Sequence, residues 1–72
     1  MGVSYKKLFL LLLQKDLKRK DLKEMTSLSS ATMEKLSSDK YVSLEILVKI
    51  CCALNVELGD IVEITNDYTD AL

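Results

Sequence analysis

Histidine, tryptophan and proline are absent from these 72 residues, and glycine occurs only at Gly2 and Gly59. Without the Asn-Gly, Asp-Gly or Pro-containing pairs that make tight hairpins, a strand-rich fold has few places to turn, so the composition favours helices. Without histidine, the commonest general base and a frequent metal ligand are both missing, and no Gly-rich loop is present to cradle a phosphate. The carboxylates are scattered over expected helix surfaces, where they solubilise. An enzyme is therefore not expected, and neither is a cofactor. The two cysteines, Cys51 and Cys52, are neighbours in the chain. A bridge between neighbours is strained and closes no useful loop, and two thiols without histidine make no zinc site. They read as one buried small apolar residue beside a more exposed one, and free thiols point to a reducing cytoplasm.

Long apolar runs are lacking too. The longest useful one, residues 8–13, holds six apolar side chains, where a membrane span needs about 20. It lacks the small-residue cleavage site of a secretory signal. Met1-Gly2 resembles the start of an acylation site, but Lys6 stands where Ser or Thr is required. The expectation is a cytoplasmic chain that makes no use of a membrane.

What the chain has in quantity is aliphatic surface, with 49% of residues hydrophobic. A chain this short forms one domain, expected over residues 1–65 with a loose tail at 66–72, and buries only about 60–65% of its unfolded surface. The net charge of −1 conceals an asymmetry. Residues 1–40 carry nine cations and five anions, a net of +4, and residues 41–72 carry one cation and six anions, a net of −5. Affinity for phosphate follows the local patch more than the total.

Periodicity predicts five helices. The first spans residues 4–15, with Ser4 as N-cap, an inward face of Leu8, Leu11 and Leu12, and Asp16 at a left-handed C-terminal position. Phe9, Leu10 and Leu13 widen its apolar arc beyond what one small domain hides. The second spans residues 19–26, with Leu22 and Met25 inward. Ser27 and Leu28 make a turn, Leu28 pointing into the core. The third runs from Ser30 to Leu36, capped by Ser29, with Met33 and Leu36 inward. A polar loop covers residues 37–42. The fourth starts after its cap Ser43, buries Leu47, Ile50, Cys51 and Leu54, and ends at Asn55. A short fifth helix covers residues 57–61 with Leu58 and Ile61 inward, and residues 62–65 alternate as an extended segment does.

The stretch from Lys18 to Leu36 carries the function. Lys18, Arg19 and Lys20 open the second helix, where cations oppose the positive end of its dipole by a few tenths of a kcal/mol each. Asp21 offsets part of that, and an anion docked on the free N–H groups would resolve it. The third helix presents Ser30, Ala31, Glu34 and Lys35 outward. Its small leading residues let it press against base edges. Ala31 suits a thymine methyl, Ser30 either kind of edge, Glu34 a cytosine amino group, and Lys35 guanine or phosphate.

These residues resemble the Cro/cI-type helix-turn-helix family, the phage-repressor and xenobiotic-response-element class of bacterial regulators, over about residues 5–62. Lys15-Asp16-Leu17 matches the turn after the family's first helix. Arg19 matches its phosphate-touching residue, Leu22-Lys23 its Leu-Ala pair, Ser27-Leu28-Ser29 its Gly-Val-Ser turn, and Thr32-Met33 its Thr-Ile pair. SLEILVKICCALNVELGDI matches its closing stretch. Two residues depart from the pattern. Lys23 replaces the small residue between the helices and must reach outward, and Ser27 takes a positive-φ position at a cost of ~1 kcal/mol. The resemblance implies an all-α, compact five-helix lambda-repressor-like domain whose third helix enters the major groove. Ser30, Ala31, Glu34 and Lys35 would read bases, and Lys18, Arg19, Lys20 and Lys40 would hold phosphates. It further implies a homodimer on a near-palindromic operator of double-stranded DNA, repressing transcription, with half-sites one turn apart. Such a dimer would use either the surplus apolar face of the first helix or residues 62–65 as an added strand. A second reading, an antitoxin or other protein-interaction module with DNA binding secondary, draws on the acidic rear half and the same apolar surplus.

Overall fold

The computed structural model describes residues 2–65; the tail expected at 66–72 lies outside them. Four α-helices, one 3-10 turn and a small sheet follow in the order β1 (Gly2–Ser4), α1 (Lys6–Gln14), α2 (Arg19–Thr26), α3 (Ser30–Ser37), α4 (Leu44–Leu54), the 3-10 turn (Leu58–Asp60) and β2 (Glu63–Thr65). Two expectations are corrected by this. The fifth helix is a single 3-10 turn, and the fold is mostly helical with a two-stranded sheet rather than all-α. Among the described residues, no helix is long and apolar enough to cross a membrane.

Local signals fix most helix ends. Ser29 and Ser43 cap α3 and α4 by accepting from the N–H groups of Thr32 and Ile46, which removes one unpaired donor from each first turn. Asp16, Ser27, Asp39 and Asn55 all take left-handed backbone, each with φ near 56–57°. Ser27 and Asn55 are the C-caps of α2 and α4, Asp16 and Asp39 each follow the C-cap of α1 and α3, and Ser27 opens the three-residue turn between α2 and α3. The turn then sinks Leu28 into the core. Ser4 is not the N-cap of α1. That position belongs to Tyr5, while Ser4 lies in β1, from which its hydroxyl still accepts from the Lys6 N–H at 3.3 Å.

Leu8, Leu12, Leu22, Leu36, Ile50 and Ile61 are almost completely buried, with Leu28, Met33, Leu47 and Leu54 packed around them. Two expected core residues are not in it. Met25 is 47% exposed and Leu58 41% exposed. In a two-turn helix the inward face has room for little beyond Leu22 and the residue four places on. Thr26 takes that place, buried, and its hydroxyl donates to the Leu22 carbonyl at 2.7 Å, so no polar group is stranded. At the 3-10 turn Leu58 stays on the surface and Ile61 alone is fully buried. Cys51 is half-buried and Cys52 exposed.

β2 pairs antiparallel with β1, setting Gly2 opposite Thr65, Val3 opposite Ile64 and Ser4 opposite Glu63. The extended segment 62–65 is therefore partnered within its own chain along one edge. One buried side chain then ties this end of the molecule to the loop after α3. Tyr5, 1% exposed, donates from its hydroxyl to the Lys40 carbonyl at 2.8 Å, and its backbone N–H donates to Asp39 Oδ1 at 3.0 Å.

Candidate nucleic-acid interface

Residues 18–40 carry all eight side chains singled out from the sequence. All eight are exposed. They fall into two groups, one at the start of α2 and one along α3 and the loop behind it.

At the start of α2, Lys18 holds the N-cap position in extended backbone and offers no side-chain bond to the first turn. The carboxylate of Asp21 accepts from the Lys18 N–H at 2.8 Å, the acidic half of a capping box. Unlike α3 and α4, this helix begins with its leading N–H groups uncapped by a side chain, beside Lys18, Arg19 and Lys20. Arg19 is held from two directions. Its guanidinium stacks on Phe9, with Cζ 4.5 Å from the ring centroid, and Nη1 donates to the Ser37 hydroxyl at 3.0 Å. The ring of α1 and the last turn of α3 thereby fix where the cation sits. Guanidinium has five N–H donors, so one bond to Ser37 leaves most of them for another acceptor.

Along α3, Ala31, Glu34, Lys35 and Lys40 line one shallow depression of about 250 Å³ together with Ser38. Lys40 comes there because the chain doubles back: its N–H donates to the Lys35 carbonyl at 2.9 Å, and Asp39 takes left-handed backbone just before it. Tyr5 then clamps the loop from below. Ser30 precedes Ala31 at the start of the helix, and its hydroxyl accepts from Lys23 Nζ at 2.6 Å. The hydroxyl's own proton remains free to donate. Lys23 is half-buried and reaches across from α2 to α3, the outward course that its replacement of a small residue demanded.

Four positioning residues were not legible as such: Tyr5, Phe9, Lys23 and Ser37. Each acts across a turn or between elements, from 7 to 35 residues away in sequence. Helical periodicity carries no signal at those separations. The one hint was Lys23, a charged residue at a position that packs between helices.

Known proteins bear on this arrangement. A transcriptional regulator whose crystal structure has been solved, VanUg, superposes with a TM-score of 0.85 at 44% sequence identity, over 86% of this chain and 83% of that one. No curated protein matches the chain. The Cro/C1-type HTH DNA-binding domain family matches residues 7–67, a span that takes in α1 through β2 and both groups of the candidate interface. The turn at Ser27, the capped α3 behind it and this match agree: the chain belongs to the Cro/C1-type helix-turn-helix DNA-binding domain family.

Proposed function

We propose that the protein is a sequence-specific regulator of transcription in the cytoplasm, a repressor that binds a near-palindromic operator as a homodimer and lays α3 in the major groove. The observation that carries this reading is the exposed, small-residue start of α3 continuing into the depression shared by Ala31, Glu34, Lys35 and Lys40. A helix presenting a hydroxyl and a methyl group first can approach base edges closely. The longer Glu34 and Lys35 then reach the next bases. Ser30 donates to a purine N7 or a carbonyl oxygen, Ala31 meets a thymine methyl, Glu34 accepts from the cytosine amino group, and Lys35 donates to guanine or to a phosphate. Lys18, Arg19, Lys20 and Lys40 neutralise phosphates, with the uncapped start of α2 adding N–H donors. Arg19 brings the least conformational freedom to that task, because Phe9 and Ser37 already hold it. The 44% identical structure is that of a transcriptional regulator, which agrees with this reading.

Titration of labelled duplex over a range of salt concentrations tests it. Four phosphate-holding cations per chain, eight per dimer, predict a log–log slope of about −7. Arg19→Ala is expected to weaken binding to every duplex and to flatten the slope by about 1 for each phosphate that is no longer neutralised. A slope near zero contradicts the proposal.

A further inference from the structure

The apolar surplus expected on the first helix and on residues 62–65 is partly spent. Phe9 lies under Arg19, and β2 is paired with β1. Leu10, Leu13 and Ile64 stay exposed there, and a further, contiguous surplus lies elsewhere. Of the eight large apolar side chains that are exposed among the described residues, Met25, Leu44, Val48 and Leu58 line two adjoining depressions of about 590 and 460 Å³. Val48 and Cys52 belong to both. Leu44, Val48 and Cys52 are spaced by four residues on α4, so they form one stripe along its outward face.

We infer that this stripe is the contact between two copies of the chain, with the two α4 helices packed antiparallel across Val48. The inference rests on the homodimer proposed above and names its interface. The second copy is selected by the charge pattern. Glu45 and Lys49 are exposed, four residues apart, and both lie on the same flank of the stripe. A twofold axis crossing the helices near Val48 sets Glu45 of each copy beside Lys49 of the other. The same operation lays each Leu44 over the other copy's Cys52 and brings the two Val48 side chains together at the centre. A patch that is complementary to itself in both shape and charge is what a twofold contact requires.

The geometry gives a discriminating test on the full 72-residue chain. Rise along a helix places the two Cys52 residues roughly 12 Å apart along the axis in this arrangement, beyond the ~7 Å between Cα atoms that a disulfide tolerates. The two residues at position 48 face each other. Oxidation with diamide is therefore expected to convert Val48→Cys, made in a Cys51→Ala, Cys52→Ser background, to a covalent dimer, and to leave the wild type uncrosslinked through Cys52. In sedimentation equilibrium the wild type is expected to be a dimer, and Val48→Glu to raise its dissociation constant at least about 30-fold. Circular dichroism should show Val48→Glu still helical, since Val48 is 50% exposed. A dimer that survives Val48→Glu and gives no crosslink at position 48 overturns the α4 contact and leaves the homodimer standing. A wild type that is monomeric at every concentration overturns both. So does a wild-type monomer that dimerises only after removal of residues 66–72, because the face would then belong to the chain's own tail.

Discussion

Tyr5→Ala is expected to cost about 3–5 kcal/mol, the range for truncating a large buried aromatic side chain, and so to remove a large share of the chain's stability. The total stability of a domain this size is only about 4–11 kcal/mol. Tyr5 is 1% exposed and packs with Leu8, Leu36 and Ile61 in the core. Its loss also frees the Lys40 carbonyl and so the loop that completes the candidate interface. Tyr5→Phe separates the two effects. It keeps the ring and removes one hydrogen bond, worth about 1 kcal/mol, which lowers the melting temperature by roughly 4–8 °C. The same hydroxyl gives a pH signature. Burial pushes the Tyr5 phenol above its ordinary 10.0; the Val42 backbone offsets part of this, and the charge of Asp39 adds to it. A group whose folded-state value is raised contributes stability that is fully present below its unfolded value and is lost as pH rises through the folded one. The advantage of wild type over Tyr5→Phe is therefore expected to hold up to about pH 10 and to shrink above it. Denaturant melts of both proteins from pH 7 to 11 measure this. An advantage that grows above pH 10 would contradict it.

Ala31→Glu is expected to abolish specific DNA binding, by more than about 100-fold in affinity, while changing the melting temperature little. Ala31 is exposed on the first turn of α3 and lines the same depression as Lys35 and Lys40. A longer carboxylate there blocks the approach to the bases and sets a second negative charge beside Glu34, facing phosphates. Good base contacts are worth about 1–3 kcal/mol each, and repulsion adds to the cost of breaking them. Helix stability should hold, because acidic residues suit the first turn of a helix. Duplex titration and thermal melts on the same preparation measure the pair. An Ala31→Glu protein that binds like wild type would place the interface elsewhere.

The parts of the fold legible in the sequence are those dictated within a few residues. Ser29 and Ser43 are caps because a hydroxyl at that place meets an N–H three residues on. Asp16 and Asn55 were expected at left-handed positions from their places after apolar stripes, and Ser27 from the family resemblance; all three adopt them. The bounds of α2 fall where the charged opening and the turn put them. What stayed hidden depends on contacts between distant segments. The three residues of β1 carry no strand signal of their own and are extended because β2 lies beside them. Met25 and Leu58 are apolar at helical spacing, yet Thr26 takes the inward place on α2 and Ile61 the one after the 3-10 turn. The interface shows the same division. Its exposed side chains were readable as the outward face of a short amphipathic helix. Its supports were not: Phe9 and Ser37 holding Arg19, Lys23 on Ser30, and Tyr5 under Lys40. Packing alone decides those.

Selection of bound duplexes from a random pool, run in parallel on the wild type and on Glu34→Gln, tests most directly whether α3 reads bases. The wild type should enrich a twofold-symmetric sequence with half-sites about 34 Å apart. Glu34→Gln should keep the symmetry and spacing and change the preferred base at one position in each half, from cytosine towards adenine, the partner that a glutamine amide matches. Enrichment of the same sequence by both proteins, or of none by the wild type, would contradict the assignment of α3 as the reading helix.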